Sequence, residues 1–138
     1  MTTPVTLMDP NSNLYLSAKD VGGGSFVVAL SSNATAWYLN TSASVGVTIV
    51  STLSYRDNAS GNILYMAGDM SLLKAAGSCP LVLSPSTATV FAIGGVPING
   101  LQPVVVNGDL PAALAISSEL AILEKNSGQG WKIFVSNA

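Results

Sequence analysis

The sequence predicts an all-β chain assembled from three four-stranded repeats, and two observations carry that expectation. Val, Ile, Thr, Tyr and Phe cluster in runs of about four to eight residues bounded by Gly, Asn, Ser and Pro, the pattern of short strands separated by turns. One pattern also recurs three times. Each copy opens on a Val-x-aliphatic triplet: Val5-Thr6-Leu7, Val47-Thr48-Ile49 and Val96-Pro97-Ile98. A strand-like stretch follows (Leu14-Tyr15-Leu16, Leu64-Tyr65-Met66, Val104-Val105-Val106), then an aspartate (Asp20, Asp69, Asp109). A second apolar run comes next, at residues 26–30, Leu81-Val82-Leu83 and Ala121-Ile122-Leu123. Each copy closes on an aromatic with an aliphatic two positions later: Trp37 with Leu39, Phe91 with Ile93, Trp131 with Ile133.

The copies begin at residues 5, 47 and 96, and Asp69 stands as far from Phe91 as Asp109 does from Trp131. Periods of about 20–50 residues mark units that bury their apolar faces only against one another. We therefore expect a single domain with repeats at about 1–44, 45–94 and 95–138. The extra length of the second copy falls at residues 55–61, which read as a loop insertion. The stretch 47–53 alternates imperfectly, as a strand covered on both faces does. Met70–Ala76 and residues 111–124 collect Leu, Ala and Lys, yet strand and loop are expected there. They occupy the place of Val21-Gly22-Gly23-Gly24-Ser25 in the first copy, and three glycines oppose a helix.

Twelve short strands in three units, each closed by an aromatic, resemble a β-trefoil, a six-stranded barrel capped by three hairpins. The resemblance covers residues 5–134. It implies pseudo-threefold symmetry and places Trp37, Phe91 and Trp131 in the barrel core, where an aromatic ring buries a large area. A β-sandwich is the alternative all-β arrangement.

A chain of 138 residues suits one domain with a sizeable core. Charged residues make up only 9%, against about 25% in an ordinary soluble domain, so the chain reads as globular and strongly apolar. Its apolar stretches break well short of the roughly 18–20 residues of a membrane-spanning helix, and no membrane insertion is expected. Met1-Thr2-Thr3-Pro4 has neither the basic nor the apolar region of a signal peptide, which points to a cytoplasmic protein or one released without a classical signal. Cys79 is alone, so no intrachain disulfide is expected. Asn33-Ala34-Thr35, Asn40-Thr41-Ser42 and Asn58-Ala59-Ser60 match the glycosylation acceptor pattern and are read as polar turns. With net charge −2 and five scattered basic residues, the electrostatic footprint of a nucleic-acid binder is missing. Homo-oligomer formation is left open.

Catalysis finds little support. Without histidine, neither a Ser-His-Asp nor a Cys-His arrangement can be built. Cys79 precedes Pro80 in an apolar run and reads as a buried, inert thiol. No two of the seven carboxylates are held together by spacing, as glycoside hydrolysis would need. The triple-glycine run lacks the lysine and following helix of a phosphate loop. A non-enzymatic protein with no cofactor and no metal is expected.

Asp20, Asp69 and Asp109 either hold turns or form one wall of a shallow polar pocket per repeat. The other wall would be the loop before the closing aromatic, carrying Asn33 in the first copy, Ser84 and Ser86 in the second, and Asn126 and Gln129 in the third, with Asn107 beside Asp109. Carboxylates and amides suit the vicinal hydroxyls of a sugar, and repeated weak sites would give multivalent binding. The trefoil resemblance adds that ricin-B-type lectins bind sugar with a strand Asp, a third-strand aromatic and an Asn before the closing Trp. Here Ser17 stands in place of that Asp, Val27-Val28-Ala29-Leu30 in the third strand, Ala34 in place of the Asn, and Thr35-Ala36-Trp37 closes the first copy. The ricin-type sugar site therefore does not carry over. The pseudo-threefold architecture, the absence of catalytic groups and the richness in Ser, Thr and Asn suggest a lectin resembling the signal-less, fungal-type trefoil lectins, with glycans or glycoproteins as partners. Two alternatives stand beside it. A protease inhibitor would act through the loop of Tyr55, Arg56, Asp57 and Asn58, which holds the only arginine; a protein-binding trefoil would use other surfaces.

Overall fold

Twelve strands and one helix follow one another along the chain in the computed structural model, which describes residues 2–46, 48–94 and 100–135. The first third supplies β1 (Thr2–Met8), β2 (Tyr15–Gly22), β3 (Ser25–Ser31) and β4 (Trp37–Val45). Next come β5 (Thr48–Arg56), β6 (Ile63–Gly68), helix α1 (Met70–Ala76), β7 (Ser78–Ser84) and β8 (Phe91–Ile93). The last third supplies β9 (Gln102–Val106), β10 (Ala112–Ser117), β11 (Leu120–Lys125) and β12 (Gly130–Val135). Of the opening triplets, Val47 and all of Val96-Pro97-Ile98 lie outside the described residues.

The ladders are antiparallel and close on themselves. A ten-strand barrel runs β11–β3–β2–β1–β12–β9–β8–β5–β6–β7, and β7 returns to β11 through Leu123 opposite Cys79. A shorter circuit is closed as well, since β4 bridges β1 and β5 and joins β1–β4–β5–β8–β9–β12 into a ring. The consecutive pairs β2–β3, β6–β7 and β10–β11 are hairpins, and they also pair with one another at Val27–Val82, Ile122–Pro80 and Leu120–Ala29. Closure leaves few open edges, which suits a chain so poor in charge.

Trp37, Phe91 and Trp131 are fully buried and belong to one apolar cluster, as the sequence predicts. Burying an indole leaves a polar N–H to satisfy. Trp37 Nε1 donates to the Leu16 carbonyl at 3.0 Å and Trp131 Nε1 to the Leu114 carbonyl at 3.1 Å, each reaching its neighbouring hairpin. The aliphatics two positions on lie one step along the barrel, where Leu39 faces Leu53, Ile93 faces Val104 and Ile133 faces Leu7.

Four expectations require correction. Met70–Ala76 is helical: Asp69 caps it by accepting from the amides of Ser71 and Leu72 at 3.0 and 3.2 Å, and Gly77 ends it at φ 84°. These are standard stop and start chemistries, and Leu73 anchors the helix in the core, so local propensity and one buried contact override the alignment with three glycines. In the last third, Val104-Val105-Val106 belongs to β9, and the next strand is the alanine-rich β10, whose residues 112–115 are all buried. Asp109 therefore lies between β9 and β10, whereas Asp20 ends β2 and Asp69 follows β6; the matched spacing to the closing aromatics is coincidental. Asn40 sits within β4 and not in a turn.

The residues 55–61 are no insertion either. Asp57 Oδ1 accepts from Ala59 N, Asp57 Oδ2 from Ser60 Oγ at 2.6 Å, and Ser60 Oγ accepts from Asn62 N. Asp9, Asn11, Ser12 and Leu14 make the same set of bonds between β1 and β2, with Ser12 Oγ donating to Asp9 Oδ2 at 2.8 Å. The backbones agree too: Asn13 donates to Asp9 O as Gly61 does to Asp57 O, with φ 60° and 76°. Both loops are Asp-x-x-Ser turns, and the extra length of the middle third resides in α1.

Candidate functional site

The loop before Trp37 is stitched onto the first hairpin by three hydrogen bonds. Ser17 Oγ donates to the Asn33 carbonyl, Asn33 N to Ser31 Oγ at 3.1 Å, and Ala18 N to Thr35 Oγ1 at 3.0 Å. Ser17 is one of few buried polar side chains, and its burial is met by that carbonyl. The loop stands off from the strands enough to leave a pocket of about 320 Å³, open to solvent between β2, β3 and residues 33–35. It is lined by the polar residues Ser17, Lys19, Ser31, Asn33 and Thr35, with Ala18, Ala29, Leu30 and Ala34 as the apolar part. Closely spaced donors and acceptors over a small apolar patch can bind a polyhydroxylated ring.

The threonine is part of a shared device. Thr89, two residues before Phe91, accepts from Gly68 N through Oγ1 at 2.9 Å, as Thr35 does from Ala18 N. Thr-x-aromatic at both closings was the signal available in the sequence for this residue. In the last third Gln129 takes the position, and its Nε2 donates to Asp9 Oδ1 at 3.0 Å, tying the loop before β12 to the turn after β1. Burial works to raise the pKa of Asp9, but bonds from Ser12, Gln129 and the backbone amides of Asn11 and Ser12 outweigh it and hold the carboxyl below its usual value.

The predicted site residues scatter. Asn33 lines the 320 Å³ pocket. Asp20 is absent from its lining and accepts from Gly22 N at 2.8 Å, holding the hairpin tip. Asp69 caps α1. Asn107 and Asp109 line a separate pocket of about 390 Å³ with Met70 and Lys74 of the helix. Asn126 borders a third, of about 450 Å³, with Ser127, Pro111 and Ala112. Asp20 thus holds a turn and Asp69 a cap, Asp109 lines a pocket beside the helix, and the polar pocket of the first third is lined by residues that sequence reasoning named only in part.

A further pocket of about 440 Å³ lies on the other side of residues 34 and 35, lined by Tyr38, Tyr55, Arg56 and Asn58. The Arg56 guanidinium lies over the Tyr38 ring, 3.8 Å from its centroid, in cation–π geometry. Tyr55 packs edge-on against Phe26 at 5.4 Å, and burial followed by the charges of Asp57 and Asp20 raises its pKa. The Ser60 hydroxyl bond is the largest influence holding Asp57 below its usual value. Cys79 is buried, and that burial raises its thiol, as expected of an inert cysteine. Among the described residues no group of three or more His, Cys, Asp or Glu is placed to hold a metal ion. Comparison with protein-family models, curated proteins and solved structures gives no match.

Proposed function

We propose that the barrel is a β-trefoil and that the chain is a non-enzymatic carbohydrate-binding protein whose partners are glycans or glycoproteins. Two features support the trefoil reading: the closed six-strand circuit, and three hairpins that pair with one another at one end of it. The observation that carries the functional reading is the pocket between β2, β3 and residues 33–35. Hydroxyl-, amide- and ammonium-bearing residues line one small concavity, beside a loop fixed by Ser17, Ser31 and Thr35. Its lining includes no carboxylate, which favours a neutral or acidic sugar over an amino sugar.

A protease-inhibitor role has less support. The loop that would enter a protease duplicates the turn at residues 9–14, and Arg56 rests on Tyr38 where an inhibitory side chain would project.

A glycan-array screen of the purified chain, repeated with Asn33→Ala and Lys19→Ala, tests the proposal. We expect binding to a restricted set of sugars, reduced about tenfold or more in the variants at unchanged thermal midpoint, as loss of a hydrogen bond to a ligand predicts. A folded chain that binds no glycan, or variants that bind as well as the parent, would refute it.

A further inference from the structure

A second cavity opens inside the six-strand circuit, toward the strand ends that lie away from the hairpins, and every strand of the circuit contributes to it. Its volume is about 330 Å³. Leu7 and Leu53 form a fully buried floor, with Val5 and Ile93 almost as deeply buried. Leu39, Ile49 and Ile133 form partly exposed walls, and Val135, 70% exposed, stands at the rim. Among the described residues the lining has two polar ones, Thr41 and Gln102, and no charged one. Gln102 Nε2 donates to the Gly94 carbonyl, which ties β9 to the end of β8 beside the cavity.

We propose that this cavity is a binding site for the alkyl chain of a small uncharged amphiphile, its hydroxyl or carbonyl head at the Thr41 and Gln102 end. Mouths of β-barrels are favoured places for ligand pockets, and such pockets are mainly apolar with a few polar groups that fix orientation. Three features select the ligand class. The apolar lining is wholly aliphatic, so it offers no ring for stacking and fits a flexible chain. It carries no charge to pair with an ionic head. Its volume is at the small end of the usual range of about 300–1,000 Å³, which suits a chain of medium length. An aliphatic lining over a fully buried floor favours uptake of an apolar chain that removes this surface from water. The site is independent of the sugar pocket and shares no lining residue with it.

Titration of the whole chain with 1-hexanol, 1-heptanol, 1-octanol and 1-decanol, followed by calorimetry, tests the proposal. Saturable binding of one molecule per chain is expected, tightening about fourfold for each added CH₂ from hexanol to octanol, the factor that about 0.8 kcal/mol per buried methylene implies. Ile133→Phe, which narrows the walls, should weaken octanol at least tenfold, and Val82→Phe, at an exposed position on β7, should leave it unchanged. If Ile133→Phe fails to fold, the chain-length series on the parent protein still decides. Affinity independent of chain length, uptake that does not saturate, or no binding at all would overturn the proposal; the last would mean that the chain's own residues fill the cavity.

Discussion

Trp131 and Trp37 combine the largest buried surfaces in the core with an indole N–H that must find an acceptor. Trp131→Ala should cost about 3–5 kcal/mol of unfolding free energy, and Trp131→Phe about 1–3, because it leaves the Leu114 carbonyl without its donor; urea denaturation measures both. Asp9 is a residue whose charge bears on stability. Its folded pKa is depressed, so it contributes stability above an unfolded value of about 3.9, and that contribution is lost as pH falls through the folded value. Below about pH 4 the thermal midpoint of the parent should therefore fall more steeply than that of Asp9→Asn. Equal slopes would show that the bonds from Ser12 and Gln129 do not favour the ionised form. The closing aromatics were legible in the sequence because each stands two residues before an aliphatic at the end of its copy. Asp9 was not, because its partner Gln129 lies at the far end of the chain and only folding brings them together.

Helix α1 shows how an element can be written in the sequence and still be misread. Asp69, the run Leu72-Leu73-Lys74-Ala75-Ala76 and Gly77 are start, body and stop signals, but the repeat alignment set against them the glycines of the first hairpin. Asp69→Ala should destabilise by about 0.5–2 kcal/mol through the lost cap. Gly77→Ala should cost about 1–2 kcal/mol, since a side chain there is forced into the left-handed region. Gly68, at the end of β6, is a different case: a Cβ would sit 2.5 Å from Leu123 Cδ1 and 3.0 Å from Cys79 Sγ. Gly68→Ala should therefore lose about 1–3 kcal/mol by overpacking. In the third copy strand and loop were rightly expected over 111–124, and the error lay in reading residues 104–106 as the second strand of the copy when they belong to its first. Alanines at residues 112, 113 and 115 have weak strand propensity, and β10 forms there because all three are buried against the core.

At the scale of the whole molecule, hydrophobic periodicity and punctuation made the strands, their approximate number and the burial of three aromatics readable. Register was harder. A shift of one strand in the last copy moved Asp109 from one turn to another, so the three aspartates do not stand at equivalent places. The first third has instead a pocket whose walls come from β2, β3 and the following loop, joined by bonds between residues too far apart in sequence to suggest one another. That pocket is the centre of the functional account. Its most direct test is an amide chemical-shift titration of the isotope-labelled chain with a glycan selected from the array. The account predicts saturable shifts grouped at residues 17–19, 29–31 and 33–35. Shifts centred on residues 55–58 or 107–109, or none at all with any glycan, would contradict it.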